Sequence, residues 1–78
     1  MRMIRPEQLQ RLRETFPKGA RVELVQMDDF QAPPIGTQGT VIGVDDIGSI
    51  MVRWDNGSSL SVAYGEDICR MITEEGDR

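Results

Sequence analysis

The apolar residues of the chain follow a helical period up to about residue 17 and an alternating period after it. In the segment 6–16 they recur three and four residues apart, at Leu9, Leu12 and Phe16. This spacing places them on one face of a helix, so the pattern predicts a short amphipathic helix. Pro6 suits its first turn, where the missing N–H loses no hydrogen bond, and Pro17 and Gly19 predict its end.

From Ala20 onward polar and apolar residues alternate, as they do in strands that bury one face. The segment Asp28–Gly36, which contains two adjacent prolines, predicts a long loop after the first strand. Short alternating or β-branched runs predict five strands, over 21–24, 40–44, 50–54, 60–62 and 69–72.

The apolar pattern also predicts the register of the hairpin after the third strand. If Asp55–Gly57 is a three-residue loop, Ile50 opposes Val62 and one face of the hairpin is apolar throughout. A two-residue loop would shift the register by one residue and mix core and solvent positions on that face. The three-residue loop needs a left-handed residue at its third position, which predicts a positive φ at Gly57 and not at Asn56.

A second loop of the same type, 46–48, predicts the same geometry at Gly48. It pairs Val44 with Ile50, Ile42 with Val52 and Thr40 with Trp54. The face that these pairs share is the predicted core, formed by Ile42, Val44, Ile50, Val52, Trp54, Leu60 and Val62.

These elements predict a mainly β fold, a small SH3-like five-stranded barrel with a short N-terminal α-helix. Closing so small a sheet would remove its exposed edges. We expect one domain in total, with a helix and lead-in over 1–19, the barrel over 20–72 and a frayed tail over 73–78.

Charge is distributed unevenly along the chain, which has a net charge of −4. Residues 1–21 carry six basic and two acidic side chains, whereas residues 22–78 carry three basic and eleven acidic ones. The acidic body disfavours general binding to a phosphate backbone and leaves Arg11 and Arg13 of the helix as candidate contacts for weak nucleic-acid binding. Glu7 and Glu14 lie one helical turn from Arg11, which predicts that its charge is locally compensated.

The residue types exclude most catalytic arrangements. The chain has no histidine, and its one cysteine, Cys69, leaves no partner for a disulfide or a cysteine zinc site. The segment Gly36–Thr40 lacks the lysine of a phosphate-binding loop and leads into a strand, so it predicts a turn. The pairs Asp28-Asp29 and Asp45-Asp46 do not have the spacing of a calcium loop and are typical of turn caps. We therefore expect no enzyme activity, no cofactor and no metal.

No apolar run approaches the roughly 18 residues of a membrane span, and the N-terminus lacks a secretory pattern. We expect a cytoplasmic protein without membrane association.

Exposed aromatic rings often anchor protein interfaces. The predicted register places Trp54 in the core, whereas Phe30 belongs to the long loop. Phe30 either projects into solvent as a contact or folds back over the mouth of the barrel, and the sequence leaves both open. The candidate partner-binding residues are Asp28, Asp29, Phe30, Pro33, Pro34 and Tyr64.

Several segments together form a specific pattern in their order and spacing: Met27-Asp28-Asp29, Ala32-Pro33-Pro34, Gly36-Thr37-Gln38-Gly39-Thr40-Val41, Gly43-Val44-Asp45-Asp46-Ile47-Gly48 and Val52-Arg53-Trp54-Asp55-Asn56-Gly57-Ser58-Ser59-Leu60. The pattern runs from about Leu9 to Ile72 and resembles domain-of-unknown-function family 4314, an uncharacterised family of short bacterial and phage proteins. Phe30-Gln31 and Ser61–Tyr64 depart from it. The resemblance implies an SH3-like barrel, often encoded on phages and mobile elements, with no catalytic residues to transfer.

Three functions fit these observations. The first is a non-enzymatic module that binds an unknown protein partner. The second is an acidic inhibitor of a host nucleic-acid-handling complex, in an anti-defence role, since carboxylates can occupy a basic groove made for phosphates. The third is a weak nucleic-acid-binding barrel that uses the basic helix.

Overall fold

The computed structural model describes residues 3–72, and the predicted tail over 73–78 lies outside this range. One helix and four strands follow in chain order: α1 Pro6–Thr15, β1 Arg21–Gln26, β2 Gln38–Val44, β3 Ile50–Trp54 and β4 Ile68–Met71. No helix in the described part of the chain is both long enough and apolar enough to cross a bilayer.

The four strands form one open antiparallel sheet in the order β3-β2-β1-β4. The fold is therefore mainly β, as predicted, but the five-stranded closed barrel is wrong. The predicted strand over 60–62 is reduced to an isolated bridge between Val62 and Ile50. Local hydrogen bonds replace a strand ladder in the segment 58–60. The indole of Trp54 donates to the Leu60 carbonyl at 2.8 Å, and the Ser58 hydroxyl accepts from the Leu60 amide at 3.4 Å.

The predicted register after β3 is confirmed at both ends. The amide of Trp54 donates to the carbonyl of Ser58 at 3.0 Å, and Ile50 and Val62 exchange two hydrogen bonds of 2.9 Å. Gly57 has a φ of 94° and Gly48 a φ of 89°, and no described residue other than glycine has a positive φ. Both loops therefore have the predicted left-handed residue at their third position.

The register between β2 and β3 is confirmed at the turn and wrong beyond it. Val44 pairs with Ile50 as predicted, but the ladder shifts between Val41 and Gly43, so that Val41 instead of Ile42 lies opposite Val52. A β-bulge causes the shift by adding one unpaired residue to β2, and a glycine inside a strand is the usual signal for one. Val41 is consequently buried, and Ile42 is exposed.

The same shift places Gly39 opposite Trp54, the position predicted for Thr40, which lies opposite Arg53 instead. A Cβ at Gly39 would lie 2.6 Å from Val52 Cγ1 and 2.9 Å from the Trp54 ring. The bulge therefore gives the indole the space that a side chain at position 39 would occupy.

Four of the predicted core residues are buried, namely Ile50, Val52, Trp54 and Val62, whereas Val44 and Leu60 are half-buried. The buried core also contains Val22, Leu24, Val41 and Cys69. Helix α1 packs against this core through Leu12 and Phe16, which are two of the three residues of the predicted apolar stripe.

Candidate functional site

The loop 27–37, here called the acidic loop, is held in shape by backbone hydrogen bonds. The carbonyl of Asp29 accepts from the amide of Ala32 at 2.8 Å, and its side-chain Oδ1 accepts from the amide of Gln31 at 2.8 Å. At the C-terminal end of the loop, the amide of Gly36 donates to the carbonyl of Leu24 in β1 at 2.8 Å. The acidic loop is therefore tied to the sheet and closed by a turn at its tip.

Phe30 projects from that turn with 96% of its surface exposed. Of the two alternatives left open by the sequence, the exposed ring is the one that the structure shows. The carboxylates of Asp28 and Asp29 are also exposed, as are Pro34 and Ile35. The tip of the acidic loop thus combines an aromatic ring with two negative charges, and an aliphatic side chain is exposed farther along the loop.

Pro33 differs from its neighbours because it is buried. Its side chain is covered in this structure, whereas that of Pro34 is exposed, and its place among the partner-binding candidates stays a prediction. Sequence reasoning could not separate Pro33 from Pro34, because the two adjacent prolines are chemically identical and only the packing distinguishes them.

Tyr64 lies in another part of the surface, beside the helix. It lines a groove of about 140 Å³ with Leu12 and Phe16, and an adjoining groove of about 290 Å³ with the same two residues and Arg11. No residue of the acidic loop lines either groove. The structure therefore does not join Tyr64 to the other partner-binding candidates.

The two arginines proposed for nucleic-acid contact have different surroundings. The guanidinium of Arg13 donates to Asp46 Oδ1 at 2.8 Å and to the carbonyl of Val44 at 3.2 Å. These bonds attach the end of α1 to the turn after β2. Arg11 is exposed and forms no ion pair with any residue of 3–72. Glu7 and Glu14 lie one turn away on α1, and the compensation of its charge by them stays a prediction.

The remaining polar candidates have structural roles. Oδ1 of Asp45 accepts from the amides of Ile47 and Ser49 at 3.2 and 2.8 Å, which confirms that this aspartate caps its turn.

The described residues contain no group of three metal-ligating side chains. Burial raises the pKa of the Cys69 thiol to about 11, so the thiol stays protonated near neutral pH and has little nucleophilic character.

The outer face of the sheet carries ion pairs that the sequence pattern did not indicate. Arg21 of β1 donates to both carboxylate oxygens of Asp55 at 3.0 and 2.6 Å, and Arg70 of β4 donates to Glu23 at 2.5 Å. The hydrogen bond and the positive charge of Arg21 hold the pKa of Asp55 below its ordinary value. These ion pairs neutralise two of the acidic side chains of residues 22–78. Asp28 and Asp29 are exposed and form no ion pair with any residue of 3–72.

Fold and site together define a small β domain with an N-terminal helix, an acidic loop carrying an exposed ring, and no reactive cluster among its described residues. The family model described as domain of unknown function DUF4314 matches residues 5–72, and the chain belongs to that family. No curated protein matches the chain.

Proposed function

We propose that this protein is a non-enzymatic interaction module that binds a protein partner through the tip of the acidic loop. The observation that carries the proposal is the exposure of 96% of the Phe30 surface on a loop whose backbone is hydrogen-bonded within its turn and, at its C-terminal end, to Leu24 of β1. Covering an exposed ring with a partner removes apolar surface from water, which favours binding. A backbone that is already fixed loses less conformational entropy on binding.

The charges beside the ring define the kind of partner surface that fits. Asp28 and Asp29 are exposed next to Phe30, and Ile35 is exposed farther along the same loop. The complementary surface is an apolar pocket for the ring with lysine or arginine side chains on its rim.

A more specific version of the proposal is an acidic inhibitor of a nucleic-acid-handling complex. A basic groove made for phosphates meets the requirement for a positively charged rim, and the exposed pair Asp28-Asp29 supports this version. Its complex would weaken strongly as salt is raised, because screening acts on the charge pairs. If contacts between Phe30 and an apolar pocket of the partner dominate the binding, the affinity would change little with salt.

Direct nucleic-acid binding through α1 has less support. Arg13 is already bonded to Asp46 and Val44, which leaves Arg11 as the accessible member of the predicted pair. A gel shift at low salt with DNA and RNA tests this alternative, and a shift abolished by Arg11→Glu would revive it.

We also propose that the open sheet is a reduced SH3-like fold and that the protein is cytoplasmic and encoded on a phage or mobile element. The pairing of Trp54 with Ser58 and of Ile50 with Val62 supports the first part, because it retains a remnant of a further strand beside β3. The expected cytoplasmic location is supported by the lack of a secretory pattern. The family resemblance supports the mobile-element origin, and the genes that flank the coding sequence test that origin.

Site-specific photocrosslinking tests the main proposal. A benzophenone amino acid replaces Phe30 in one variant and Ile47, which is also exposed in a turn, in the control. We expect one protein to be captured from position 30 and not from position 47. With that protein purified, Phe30→Ala should weaken binding about tenfold or more, the effect of removing an interface anchor, whereas Ile47→Ala should not. Equal affinities of Phe30→Ala and the unaltered protein would refute the proposal.

A further inference from the structure

The outer edge of β4 leaves backbone hydrogen-bonding groups unpaired. β4 pairs with β1 on one side, and none of the residues 3–72 pairs with it on the other. The amide of Ile72 donates to the carbonyl of Arg21 at 2.9 Å, which marks these two residues as a hydrogen-bonded pair. Such pairs alternate with non-hydrogen-bonded pairs in an antiparallel ladder, so Leu24 and Cys69, three positions along, form a non-hydrogen-bonded pair.

The contacts of Leu24 agree with this assignment. Its amide donates to the carbonyl of Thr37 at 2.9 Å, and its carbonyl accepts from the amide of Gly36 at 2.8 Å. Both groups of Leu24 are therefore directed to the β2 side of β1. The amide and carbonyl groups of Cys69, and of Met71 two residues later, therefore point away from β1. Such an edge accepts an extended peptide as an additional strand.

The smaller groove beside Tyr64 is lined in part by the first residues of β4. Asp67, Ile68 and Cys69 line it on the β4 side, and Leu12 and Phe16 line it on the helix side. A residue of an added strand that lies opposite Cys69 would share its face of the sheet. That face is the apolar one, so an apolar side chain fits this position.

The opposite face of β4 carries Arg70. The side chain of Arg70 is exposed over 64% of its surface, although it is bonded to Glu23 of β1. An acidic side chain opposite Arg70 is therefore favoured, since opposite charges across two strands stabilise their pairing.

We propose that the β4 edge binds an extended acidic peptide segment of another protein as an added antiparallel strand. The segment places apolar residues opposite Cys69 and Met71 and an acidic residue opposite Arg70. A second copy of this chain fits less well, because two β4 strands paired through Cys69 and Met71 would set Arg70 directly opposite Arg70. This surface is separate from the acidic loop and does not depend on the function proposed for it.

The test is an NMR titration of the isotope-labelled full chain with the blocked peptide Thr-Val-Glu-Val-Thr. We expect amide shifts centred on Cys69 and Met71. N-methylation of both valines should weaken binding about tenfold, because their amides would pair with the edge. N-methylation of the glutamate is the matched control and should leave affinity unchanged, since that amide points away from β4.

Charge reversal provides an independent readout. A peptide with lysine in place of glutamate should bind roughly fivefold more weakly to the unaltered protein, and Arg70→Glu should invert the order of the two peptides. Phe30→Ala should leave the titration unchanged, which separates this proposal from that for the acidic loop. The proposal would be overturned if the peptide methylated at both valines bound as tightly as the unmethylated one. It would also be overturned if the same amides shifted when the protein concentration alone is raised, which would indicate a second copy on the edge.

Discussion

The indole N–H of Trp54 donates to the backbone carbonyl of Leu60 at 2.8 Å. Trp54 is buried on the core face of β3, and Leu60 belongs to the segment that returns beside that strand. The bond lets a large ring sit in the core with its one polar group satisfied, and it holds the returning segment where ladder hydrogen bonds are absent.

Replacement of Trp54 tests this relationship. Trp54→Phe removes the donor, leaves the Leu60 carbonyl without its partner and opens space in the core. We expect the free energy of unfolding to fall by about 2 kcal/mol or more, measured by urea denaturation followed by circular dichroism. Phe30→Ala, at an exposed ring, is the control and should stay within about 0.5 kcal/mol. Similar stabilities of the two variants would contradict the role of the bond.

The two loop glycines predict a graded pair of effects. Gly57 has a left-handed backbone and nothing within 4 Å of an added Cβ, so Gly57→Ala should lower the free energy of unfolding by about 1 kcal/mol, from backbone strain alone. At Gly48 an added Cβ would also lie 3.0 Å from Tyr64 Cβ and 3.1 Å from Ile4 Cδ1. Gly48→Ala should therefore cost more, and equal costs in urea denaturation would show that the contact is easily relieved.

The bulge in β2 predicts opposite outcomes for two adjacent residues. Val41→Ala opens a cavity in the core and should lower the free energy of unfolding by about 2 kcal/mol, because Val41 is buried. Ile42→Ala should change it by less than about 0.5 kcal/mol, because Ile42 is exposed. Thermal or urea denaturation of both variants measures this difference. A larger loss of stability for Ile42→Ala than for Val41→Ala would support the register predicted without a bulge.

The Arg21–Asp55 pair predicts a loss of stability in acid. The pKa of Asp55 is lowered in the folded protein, chiefly by its hydrogen bond to Arg21, below the ordinary 3.8. A carboxyl with a lowered folded pKa contributes stability above its unfolded pKa, and this contribution is lost as the pH falls through the folded value. We expect the Tm difference between the unaltered protein and Asp55→Asn to shrink below pH 3.8. A difference that stays constant with pH would contradict the pairing.

The sequence by itself determined the helix, the four strands that form, and both three-residue turns. These features depend on local periodicity and on the backbone freedom of particular residues, such as Pro6 at a helix start and Gly57 at a left-handed position. The register beside the turn 55–57 also followed from the sequence, because a one-residue slip would have exposed its apolar face.

Only the tertiary structure decided the rest. The bulge between Val41 and Gly43 placed Val41 in the core and Gly39 opposite Trp54. Both results depend on contacts between neighbouring strands and not on the local sequence of β2. The exposure of Phe30 and the separation of Tyr64 from the acidic loop were decided likewise. A side chain's local sequence sets what it can contact, whereas the packing of the whole chain sets whether it reaches solvent, the core or a groove.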